Sequence, residues 1–384
     1  MNITKDIVYV GVNDRDIDLF EGQYVVPNGM SYNSYVIFDE KIAVMDTVDA
    51  RFGDAWIENL KRALGTRNPS YLIVQHMEPD HSANIVRFAE EFPEATVIAS
   101  DRSLVMMKQF FGDKCPARTL AVKDGEHFSL GEHELTFIHA PMVHWPEVMV
   151  TYDATDKVLF SADAFGKFGA LDADEDWACE ARRYYFGIVG KYGAQVQKLL
   201  SRVGELDIHK ICSLHGPILE ENLGYYIGLY DIWSKYEVES DGIVIAYTSV
   251  YGNTKKAVEL LEAELVAAGC PHVVVNDLAR CDMAEAVEDA FRYGTLVLAS
   301  TTYNGGMFPF MREFLEELTE RGYCKRKIAI IENGTWAPTV QRHIKQMLEG
   351  SKEITFVEPA VTIRSAMTEQ NKAEIAHLAA ELCR

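Results

Sequence analysis

Two imidazoles and two carboxylates lie close together in one short segment of this sequence. The segment is Gln75-His76-Met77-Glu78-Pro79-Asp80-His81. Because imidazole nitrogens and carboxylate oxygens are ligands for zinc, iron and manganese, this spacing predicts a metal-binding loop. The alternative is a solvated acidic loop, and further residues of ligand type later in the chain argue against it.

Three more residues of ligand type stand directly after predicted strands. They are His144, Asp163 and His215, each beside small or turn-forming residues. Side chains that follow strand ends can meet at one rim of a sheet, where rigid elements hold them in place. Each of the three alone could have an ordinary structural role, but together with the loop they predict one site.

The charge of this predicted site favours two metal ions over one. Glu78, Asp80 and Asp163 bring three negative charges, and a buried carboxylate without a partner is costly. Two divalent ions and a bridging hydroxide balance three carboxylates, whereas a single ion leaves the site negative. Asp163 is the natural bridge, because one carboxylate can bond both ions through its two oxygens.

The loop is expected between a strand and a helix. Tyr71-Leu72-Ile73-Val74 is an apolar run typical of a buried strand, and residues 82–91 have the apolar spacing of a helix. Short strands with turns and some helices fill the remainder of the first half, which predicts a mixed α/β region with two sheets. The predicted strands are 34–38, 42–46, 71–74, 95–99, 135–139, 148–152 and 157–161.

From Gly242 onward, apolar strands alternate with amphipathic helices. The strands are predicted at 243–247, 273–276, 295–300, 327–332 and near Val361, and the helices at 254–268, 283–291, 311–321, 340–349 and 372–383. Five strands with crossover helices indicate an open, doubly wound parallel sheet. The change of pattern at the polar stretch 237–241 predicts one domain of residues 1–240 and another of residues 241–384.

Composition disfavours several classes of partner and compartment. A chain of 384 residues with a net charge of -21 is repelled by nucleic acid and by anionic membranes, so neither is expected as a partner. With no N-terminal signal pattern and no apolar run that spans a bilayer, a cytoplasmic protein is expected. The seven cysteines are scattered without a Cys-x-x-Cys pair, which disfavours a disulfide framework, a zinc ribbon and an iron–sulfur centre.

A second constellation follows the first strand of the second domain. Its residues are Thr248, Ser249, Val250, Tyr251, Gly252, Asn253 and Thr254, and a predicted helix comes next. Hydroxyl and amide side chains with exposed N–H groups at a helix N-terminus form an anion site. The loop has no P-loop lysine and no Gly-x-Gly-x-x-Gly, which disfavours an NTP or a dinucleotide. The alternative is an ordinary capped turn between strand and helix.

Two later loops lie at the same edge of the predicted sheet. The first contains Thr302, Tyr303, Asn304, Gly305 and Gly306, and the second contains Asn333, Gly334, Thr335 and Trp336. Both flank the switch point at which open α/β sheets bind ligands. The rings of Tyr303 and Trp336 can enclose a planar ring, or else serve as plain surface cover.

Both halves resemble known folds, and their combination resembles one family. The ligand loop resembles the His-x-His-x-Asp-His loop of the metallo-β-lactamase superfamily, with Glu78 in place of the second histidine. A harder oxygen donor stabilises the higher oxidation states of iron, so Glu78 points from hydrolysis toward redox chemistry. The three later loops resemble the FMN-binding loops of flavodoxin. In this order the two domains resemble the flavodiiron proteins, and the segments 29–35 and 141–146 are typical of that family.

This resemblance implies the fold, the cofactors and the reaction. It implies an α/β protein with a metallo-β-lactamase-like αββα sandwich followed by a flavodoxin-like sheet, two iron ions and FMN. Members reduce dioxygen to water, nitric oxide to nitrous oxide, or both, which protects an anaerobic-type metabolism, and we expect a head-to-tail homodimer or a dimer of dimers. The implied iron ligands are His76, Glu78 and His144 on one ion, Asp80 and His215 on the other, Asp163 between them, and His81, a ligand only in some members.

Departures from the family pattern leave the preferred gas open. Some members carry Phe-His-Gly where this chain has Phe20-Glu21-Gly22, and Gln-His where it has Lys167-Phe168. Tyr184 and Tyr185 are candidates for donating a hydrogen bond to a bound oxygen atom, with ordinary core residues as the alternative. Because the sequence has no rubredoxin-like cysteine pairs, a separate electron donor is expected, either a rubredoxin-like protein or a reduced deazaflavin-type cofactor.

Two other functions compete with gas reduction. The first is a zinc-dependent hydrolase of the metallo-β-lactamase fold joined to a flavodoxin-like electron-transfer domain, and Glu78 argues against it. The second is a non-catalytic electron carrier in which the first domain is a degenerate scaffold. The complete set of ligand residues argues against this second rival, because a decayed site should have lost some of them.

Overall fold

The computed structural model describes residues 1–383 of the chain. They form two compact units, Met1–Asp231 and a second that begins at Ile232. No helix within the described range is long and apolar enough to cross a membrane. A domain boundary between residues 240 and 241 remains our proposal for where one folding domain ends and the next begins.

Two sheets packed face to face build the first unit. Its strands are β1 (Ile7–Tyr9), β2 (Val12–Asp14), β3 (Leu19–Phe20), β4 (Tyr24–Val25), β5 (Met30–Tyr32), β6 (Tyr35–Ile37), β7 (Ala43–Met45), β8 (Tyr71–Val74), β9 (Thr96–Ser100), β10 (Thr119–Val122), β11 (His127–Ser129), β12 (Glu134–His139), β13 (Met149–Asp153), β14 (Val158–Phe160) and β15 (Lys210–Cys212). One of the two large sheets has the order β1-β6-β7-β8-β9-β10 and the other β11-β12-β13-β14-β15, while β2 with β5 and β3 with β4 form two small two-stranded sheets. Ile73 and Ile98 of the first share a core with Phe137 and Phe160 of the second.

Helices complete the layers of this sandwich. Those that begin before residue 231 are α1 (Gly53–Leu64), α2 (Pro79–Ser82), α3 (Ile85–Glu91), α4 (Asp101–Phe111), α5 (Trp177–Tyr184), α6 (Gly193–Val203) and α7 (Leu223–Ser234). In α1, Trp56, Ile57, Leu60 and Leu64 are buried at helical spacing, so one face of this helix lies against the protein and the other faces water. The predicted mixed α/β region with two sheets is confirmed.

The predicted ligands all lie in segments that follow the carboxyl ends of strands. β8 runs parallel to β7 and β9, and β14 runs parallel to β15. β12 has the same direction as β14, because both are antiparallel to β13. The segments that follow β8, β12, β14 and β15 can therefore meet at one rim of the sandwich.

The predicted helix at 82–91 begins at Ile85 in the structure, as α3, and the short helix α2 forms within the predicted loop before it. α2 starts early with a proline at its first position, which suits a helix N-terminus. Asn84 interrupts the path between α2 and α3, and its Nδ2 donates to the carbonyl oxygen of Val48 at 2.7 Å. Asp80 and His81 consequently project from a short helix rather than from a loop.

The second unit is an open parallel sheet with helices. Its strands are β16 (Ser240–Tyr247), β17 (Val273–Asp277), β18 (Tyr293–Tyr303), β19 (Gly306–Met307), β20 (Lys327–Asn333), β21 (Thr355–Phe356) and β22 (Val361–Ile363). Its helices are α8 (Asn253–Ala267), α9 (Met283–Arg292), α10 (Pro309–Glu320), α11 (Val340–Met347) and α12 (Glu369–Leu382). The long strands lie in the order β17-β16-β18-β20, and β22 continues the sheet beside β20, which is the flavodoxin-like order.

Two details of this unit were not predicted. β18 runs on to Tyr303, because Asn304 and Gly305 adopt φ values of 50° and 73° and turn the chain back into β19. An Asn-Gly pair with positive φ is the preferred two-residue hairpin turn. Cys270 and Cys383 form a disulfide, a pairing that the scattered cysteines did not indicate.

Candidate metal centre and flavin loops

Four of the predicted ligands converge on one point at the rim of the sandwich. The Nε2 atoms of His76 and His144 are 3.3 Å apart, and Glu78 Oε2 lies 3.2 Å from the first and 3.0 Å from the second. Asp163 Oδ2 lies 3.1 Å from His144 Nε2. In a tetrahedral site with metal–nitrogen bonds of ~2.1 Å, ligand atoms are separated by about 3.4 Å, so these distances suit one ion.

The remaining three predicted ligands form a second group on the other side of Asp163. The Nε2 atoms of His81 and His215 are 3.0 Å apart, and Asp80 Oδ2 is 3.3 Å from each. Asp163 Oδ1 lies 3.3 Å from His81 Nε2, while Oδ2 faces the first group. Asp163 therefore points one oxygen at each group, as a bridging carboxylate must.

The donors fit metal ions and have few other partners. His76, His81, His215 and Asp163 are all 0% exposed. Neither oxygen of Asp80 has a hydrogen-bond partner among residues 1–383, and Asp163 Oδ1 has none either. Because a buried carboxylate without a partner is strongly destabilising, these oxygens require cations. A set of nitrogens and carboxylate oxygens suits iron, zinc or manganese.

Electrostatic interactions at this centre favour positive charge. Burial disfavours a charged imidazole at His144, but the carboxylates of Asp163 and Glu78 outweigh burial and raise the pKa of His144 to about 9. Burial also disfavours charge on Asp163, yet His76 and His81 outweigh it and hold the pKa of that carboxyl well below its usual range. The same carboxylates that hold protons on these imidazoles would bind divalent cations.

Buried groups behind the ligands orient the imidazoles. His76 Nδ1 lies 2.8 Å from Glu147 Oε1, which also accepts the N–H of Met77 at 2.9 Å. His215 Nδ1 lies 2.7 Å from the carbonyl oxygen of Ser31. A partner at Nδ1 leaves Nε2 to face the centre, the usual arrangement behind metal-binding histidines. The sequence analysis did not identify Glu147 or Ser31; a lone carboxylate before an apolar strand was the one signal for Glu147.

Replacing Glu147 by glutamine is expected to lower metal affinity by ~10–100-fold. Glutamine keeps the size of the side chain but loses the charge that faces His76 Nδ1 at 2.8 Å. The measurement is metal retained per chain after dialysis against a chelator, with Glu134→Gln on the exposed start of β12 as the control. Equal retention in Glu147→Gln and the unsubstituted protein would contradict this role.

Aromatic rings enclose the space beside the second group. The rings of Phe20, Tyr32 and Tyr184 lie 5.4, 5.9 and 5.5 Å from the ring of His215, measured between centroids. Phe168 packs against both Phe20 and Tyr184, at 5.8 and 5.2 Å. This aromatic wall presents an apolar surface beside the second group, which suits a small uncharged ligand.

The structure separates the two predicted pocket tyrosines. Tyr184 lies beside His215, and its hydroxyl has no hydrogen-bond partner within the described chain. Burial, and then the nearby carboxylates, raise the pKa of Tyr184 well above its ordinary value, so the hydroxyl keeps its proton. Tyr185 instead packs against Phe186 and Tyr230. Tyr184 is therefore the better placed of the two to donate into the pocket.

The positions that depart from the family pattern differ in their placement. Glu21 is an exposed residue in the turn between β3 and β4, and partial burial of its carboxyl group together with the charge of Glu78 raises the pKa of Glu21 to about 7. Lys167 is buried, and its ammonium group forms an ion pair with the carboxylate of Glu175. Phe168 belongs to the aromatic wall described above. Glu21 is thus the departure whose carboxyl group interacts electrostatically with a predicted metal ligand, Glu78.

The three predicted flavin loops meet at the switch point of the parallel sheet. Residues 248–252 connect β16 to α8, residues 304–305 turn β18 into β19, and residues 334–339 follow β20. Thr254 Oγ1 lies 3.1 Å from Thr301 Oγ1, which ties the first loop to β18. Thr302 Oγ1 accepts the N–H of Thr339 at 3.0 Å, which ties β18 to the third loop.

These loops combine a helix N-terminus with exposed aromatic rings. Gly252 has a φ of 85° and directly precedes α8, and Ser249 Oγ accepts the N–H of Lys255 in the first turn at 3.3 Å. The side chains of Tyr251, Tyr303 and Trp336 are 92%, 46% and 87% exposed. Exposed rings around an anion site fit a ligand that combines a phosphate with a planar ring.

Comparison with known proteins decides the family. Residues 30–216 match the family described as ODP family beta lactamase. A nitric oxide reductase from Moorella thermoacetica is 30% identical over 373 residues, covering 94% of this chain and 92% of that protein. The flavodiiron protein of Giardia intestinalis has the same fold, with a TM-score of 0.91 at 25% identity over 99% of this chain and 95% of that one. This chain belongs to the flavodiiron proteins.

Membership of the flavodiiron family confirms the predicted fold class, cofactors and enzyme class. Flavodiiron proteins are oxidoreductases that carry FMN and a di-iron centre, so a zinc-dependent hydrolase is not favoured. A further solved structure is the rubredoxin oxygen:oxidoreductase of Desulfovibrio gigas. Its alignment covers 100% of this chain and 98% of that chain, with a TM-score of 0.92. At 24% identity that likeness shows the fold alone.

Proposed function

We propose that this flavodiiron protein reduces dioxygen to water, nitric oxide to nitrous oxide, or both, at a di-iron centre supplied with electrons by FMN. The observation that carries the proposal is the position of Asp163 between two ligand groups, each with two imidazoles and a further carboxylate. Two relatives named for nitric oxide reduction support it, the nitric oxide reductase of Moorella thermoacetica and the anaerobic nitric oxide reductase flavorubredoxin of Vibrio vulnificus.

The two groups define which residues hold each ion. In this proposal His76, Glu78 and His144 hold one iron, Asp80, His81 and His215 hold the other, and Asp163 bonds both. We include His81 among the ligands because its Nε2 is 3.0 Å from that of His215 and 3.3 Å from Asp163 Oδ1. Each ion then has three ligand residues of its own and shares Asp163 with the other ion.

The remaining residues prepare the pocket for a small gas. When bound, the iron pair and FMN supply one-electron transfers to a gas molecule in the pocket. The aromatic wall formed by Phe20, Tyr32, Phe168 and Tyr184 places an apolar surface beside the second group. The Tyr184 hydroxyl, which keeps its proton, is placed to donate a hydrogen bond into this space.

Metal and flavin analysis of protein purified without added metal tests this proposal. The expected result is two iron ions and one FMN per chain. Glu78 favours iron, because a carboxylate stands where hydrolases of the superfamily carry an imidazole. Two zinc ions and no iron would contradict the reductase and favour the hydrolase instead.

We propose that FMN binds in the three loops of the second unit. Its phosphate is assigned to residues 248–254 at the N-terminus of α8, and its ring to the space between Tyr303 and Trp336. Residues 302–306 and 333–336 supply the backbone groups around the ring. The support is the 87% exposure of Trp336 beside the switch point of a flavodoxin-like sheet.

Replacing Trp336 by alanine is expected to weaken FMN binding about tenfold, because the flavin ring loses one stacking face. Trp336→Phe should retain most of the affinity. Phe110→Ala is the control, since Phe110 is an exposed ring (47%) in the first unit. The dissociation constant is measured from flavin fluorescence. FMN binding as tight in Trp336→Ala as in Phe110→Ala would remove Trp336 from the site.

We also propose the partners and setting of this enzyme. A rubredoxin-like protein or a reduced deazaflavin-type cofactor is the proposed electron donor, and a relative from Vibrio vulnificus named anaerobic nitric oxide reductase flavorubredoxin supports the first of these. The proposed assembly is a head-to-tail homodimer or a dimer of dimers in the cytoplasm. The net charge of -21 supports the absence of nucleic acid and anionic membrane among its partners.

A further inference from the structure

A second cluster of metal-ligating side chains lies away from the di-iron residues. It consists of Asp6, His133 and Asp156, whose ligand atoms all lie within 4.8 Å of one another. Asp6 precedes β1, His133 precedes β12, and Asp156 lies in the turn between β13 and β14. The iron ligands follow the ends of β8, β12, β14 and β15. His133 and His144 thus stand at opposite ends of β12.

His133 has the arrangement of a metal-binding histidine. It is 1% exposed, and its Nδ1 lies 2.9 Å from Asp153 Oδ2. The Asp153 carboxylate also accepts the N–H groups of Thr155 at 3.2 Å and of Asp156 at 3.3 Å, which holds it in place. A carboxylate behind one ring nitrogen fixes the imidazole so that the other nitrogen can bind a metal.

The other ring nitrogen of His133 points into the cluster without a hydrogen bond. Within residues 1–383, Nε2 has no hydrogen-bond partner, and the closest carboxylate oxygen, Asp6 Oδ2, lies 3.6 Å away. That separation is too long for a hydrogen bond but suits two ligands of one ion. A buried nitrogen that faces carboxylates in this way leaves room for a cation between them.

Thr4 holds the two carboxylates of the cluster together. Its Oγ1 accepts the N–H groups of Asp6 at 3.2 Å and of Ile7 at 3.1 Å, and its hydroxyl donates to Asp156. The segment before β1 is thereby tied to the β13–β14 turn of the other sheet. The nearest positive side chain is Lys5, whose Nζ lies 3.3 Å from Asp6 Oδ2 and which is 78% exposed. Lys5 can therefore swing into water when a cation binds.

We propose that Asp6, His133 and Asp156 bind one divalent cation of the zinc class, which joins the N-terminal segment to the second sheet. One imidazole with two carboxylates suits zinc and its first-row neighbours, whereas calcium and magnesium prefer oxygen ligands alone. Water completes the coordination at the partly exposed side of the cluster. The role of this site is structural, and it is independent of the proposed gas reduction.

Zinc retention by the holoprotein, with its iron and FMN in place, tests the proposal. Protein equilibrated with Zn²⁺ is separated from free metal, and zinc, iron and FMN per chain are measured. The unsubstituted protein and Glu132→Gln, an exposed neighbour, are expected to retain one zinc more per chain than His133→Gln and Asp156→Asn. The result is a difference between variants, so it holds whichever metal occupies the other centre.

Two outcomes would overturn the proposal. One is equal zinc in the unsubstituted protein, in His133→Gln and in Asp156→Asn. The cluster would then be only an ion pair of protonated His133 with Asp153 and Asp6. The other is no zinc above the iron centre in any of these proteins. Unchanged iron and FMN in Asp156→Asn, at a partly exposed position, shows that the comparison is made between folded proteins.

Discussion

Gas consumption is expected to fall by at least ~100-fold when Asp163 is replaced by alanine, because the two ions lose their common ligand and their spacing. Asp163 Oδ2 lies 3.1 Å from His144 Nε2 and Oδ1 lies 3.3 Å from His81 Nε2, so one side chain serves both groups. Without it, Glu78 and Asp80 cannot balance two divalent ions. We therefore also expect iron to fall from two ions per chain to one or fewer, while FMN stays bound to the second unit.

The control for Asp163→Ala is a buried aspartate outside the ligand groups. Asp14 is 0% exposed and is held by Arg51 at 2.7 Å, and Asp14→Asn should leave iron content and turnover close to those of the unsubstituted protein. Oxygen and nitric oxide electrodes with metal analysis provide the measurements. Asp163→Ala protein with two irons and undiminished turnover would contradict the bridging role.

The second large effect is expected from Glu78→His, which restores the His-x-His-x-Asp-His loop of the hydrolases. Glu78 Oε2 lies 3.2 and 3.0 Å from the Nε2 atoms of His76 and His144, so it supplies negative charge directly to the first ion. Histidine removes that charge and adds a softer donor, which should shift the bound metal from iron toward zinc. Loss of a group that only orients a metal ligand typically lowers metal affinity or activity ~10–100-fold. Replacing a ligand itself should therefore lower turnover by at least as much.

Glu78→Asp separates charge from shape in this experiment. Aspartate keeps the carboxylate but shortens the side chain, so iron should be retained with reduced turnover. The iron-to-zinc ratio of each purified variant is the deciding measurement. If Glu78→His holds as much iron as the unsubstituted protein and consumes gas equally fast, Glu78 does not determine the chemistry of the centre.

Most of the fold and the ligand set could be predicted because their signals are local. Apolar runs of strand length, separated by amphipathic helices, specify the parallel sheet of the second unit strand by strand. The seven ligand residues lie in the segments that follow β8, β12, β14 and β15, where the chain direction brings side chains to a rim. The loop of residues 75–81 also carries a spacing that few other functions require.

Contacts between distant segments could not be predicted from the sequence. Glu147 is separated from His76 by 71 residues, and nothing in the sequence pairs the two. The aromatic wall likewise draws Phe20, Phe168 and Tyr184 from separate elements, and its members read as ordinary core residues until the fold joins them. The short helix α2, which carries Asp80 and His81, was not predicted either. Its four residues are too few to show a helical pattern, so the sequence fitted a loop equally well.

Anaerobic photoreduction of the protein, followed by a pulse of each gas, tests the central claim most directly. The claim is that electrons pass from FMN to a gas at the centre bridged by Asp163. We predict that dioxygen, nitric oxide or both reoxidise the flavin rapidly in the unsubstituted protein, and far more slowly in Asp163→Ala. Reoxidation at the same rate in both proteins, by either gas, would contradict the account.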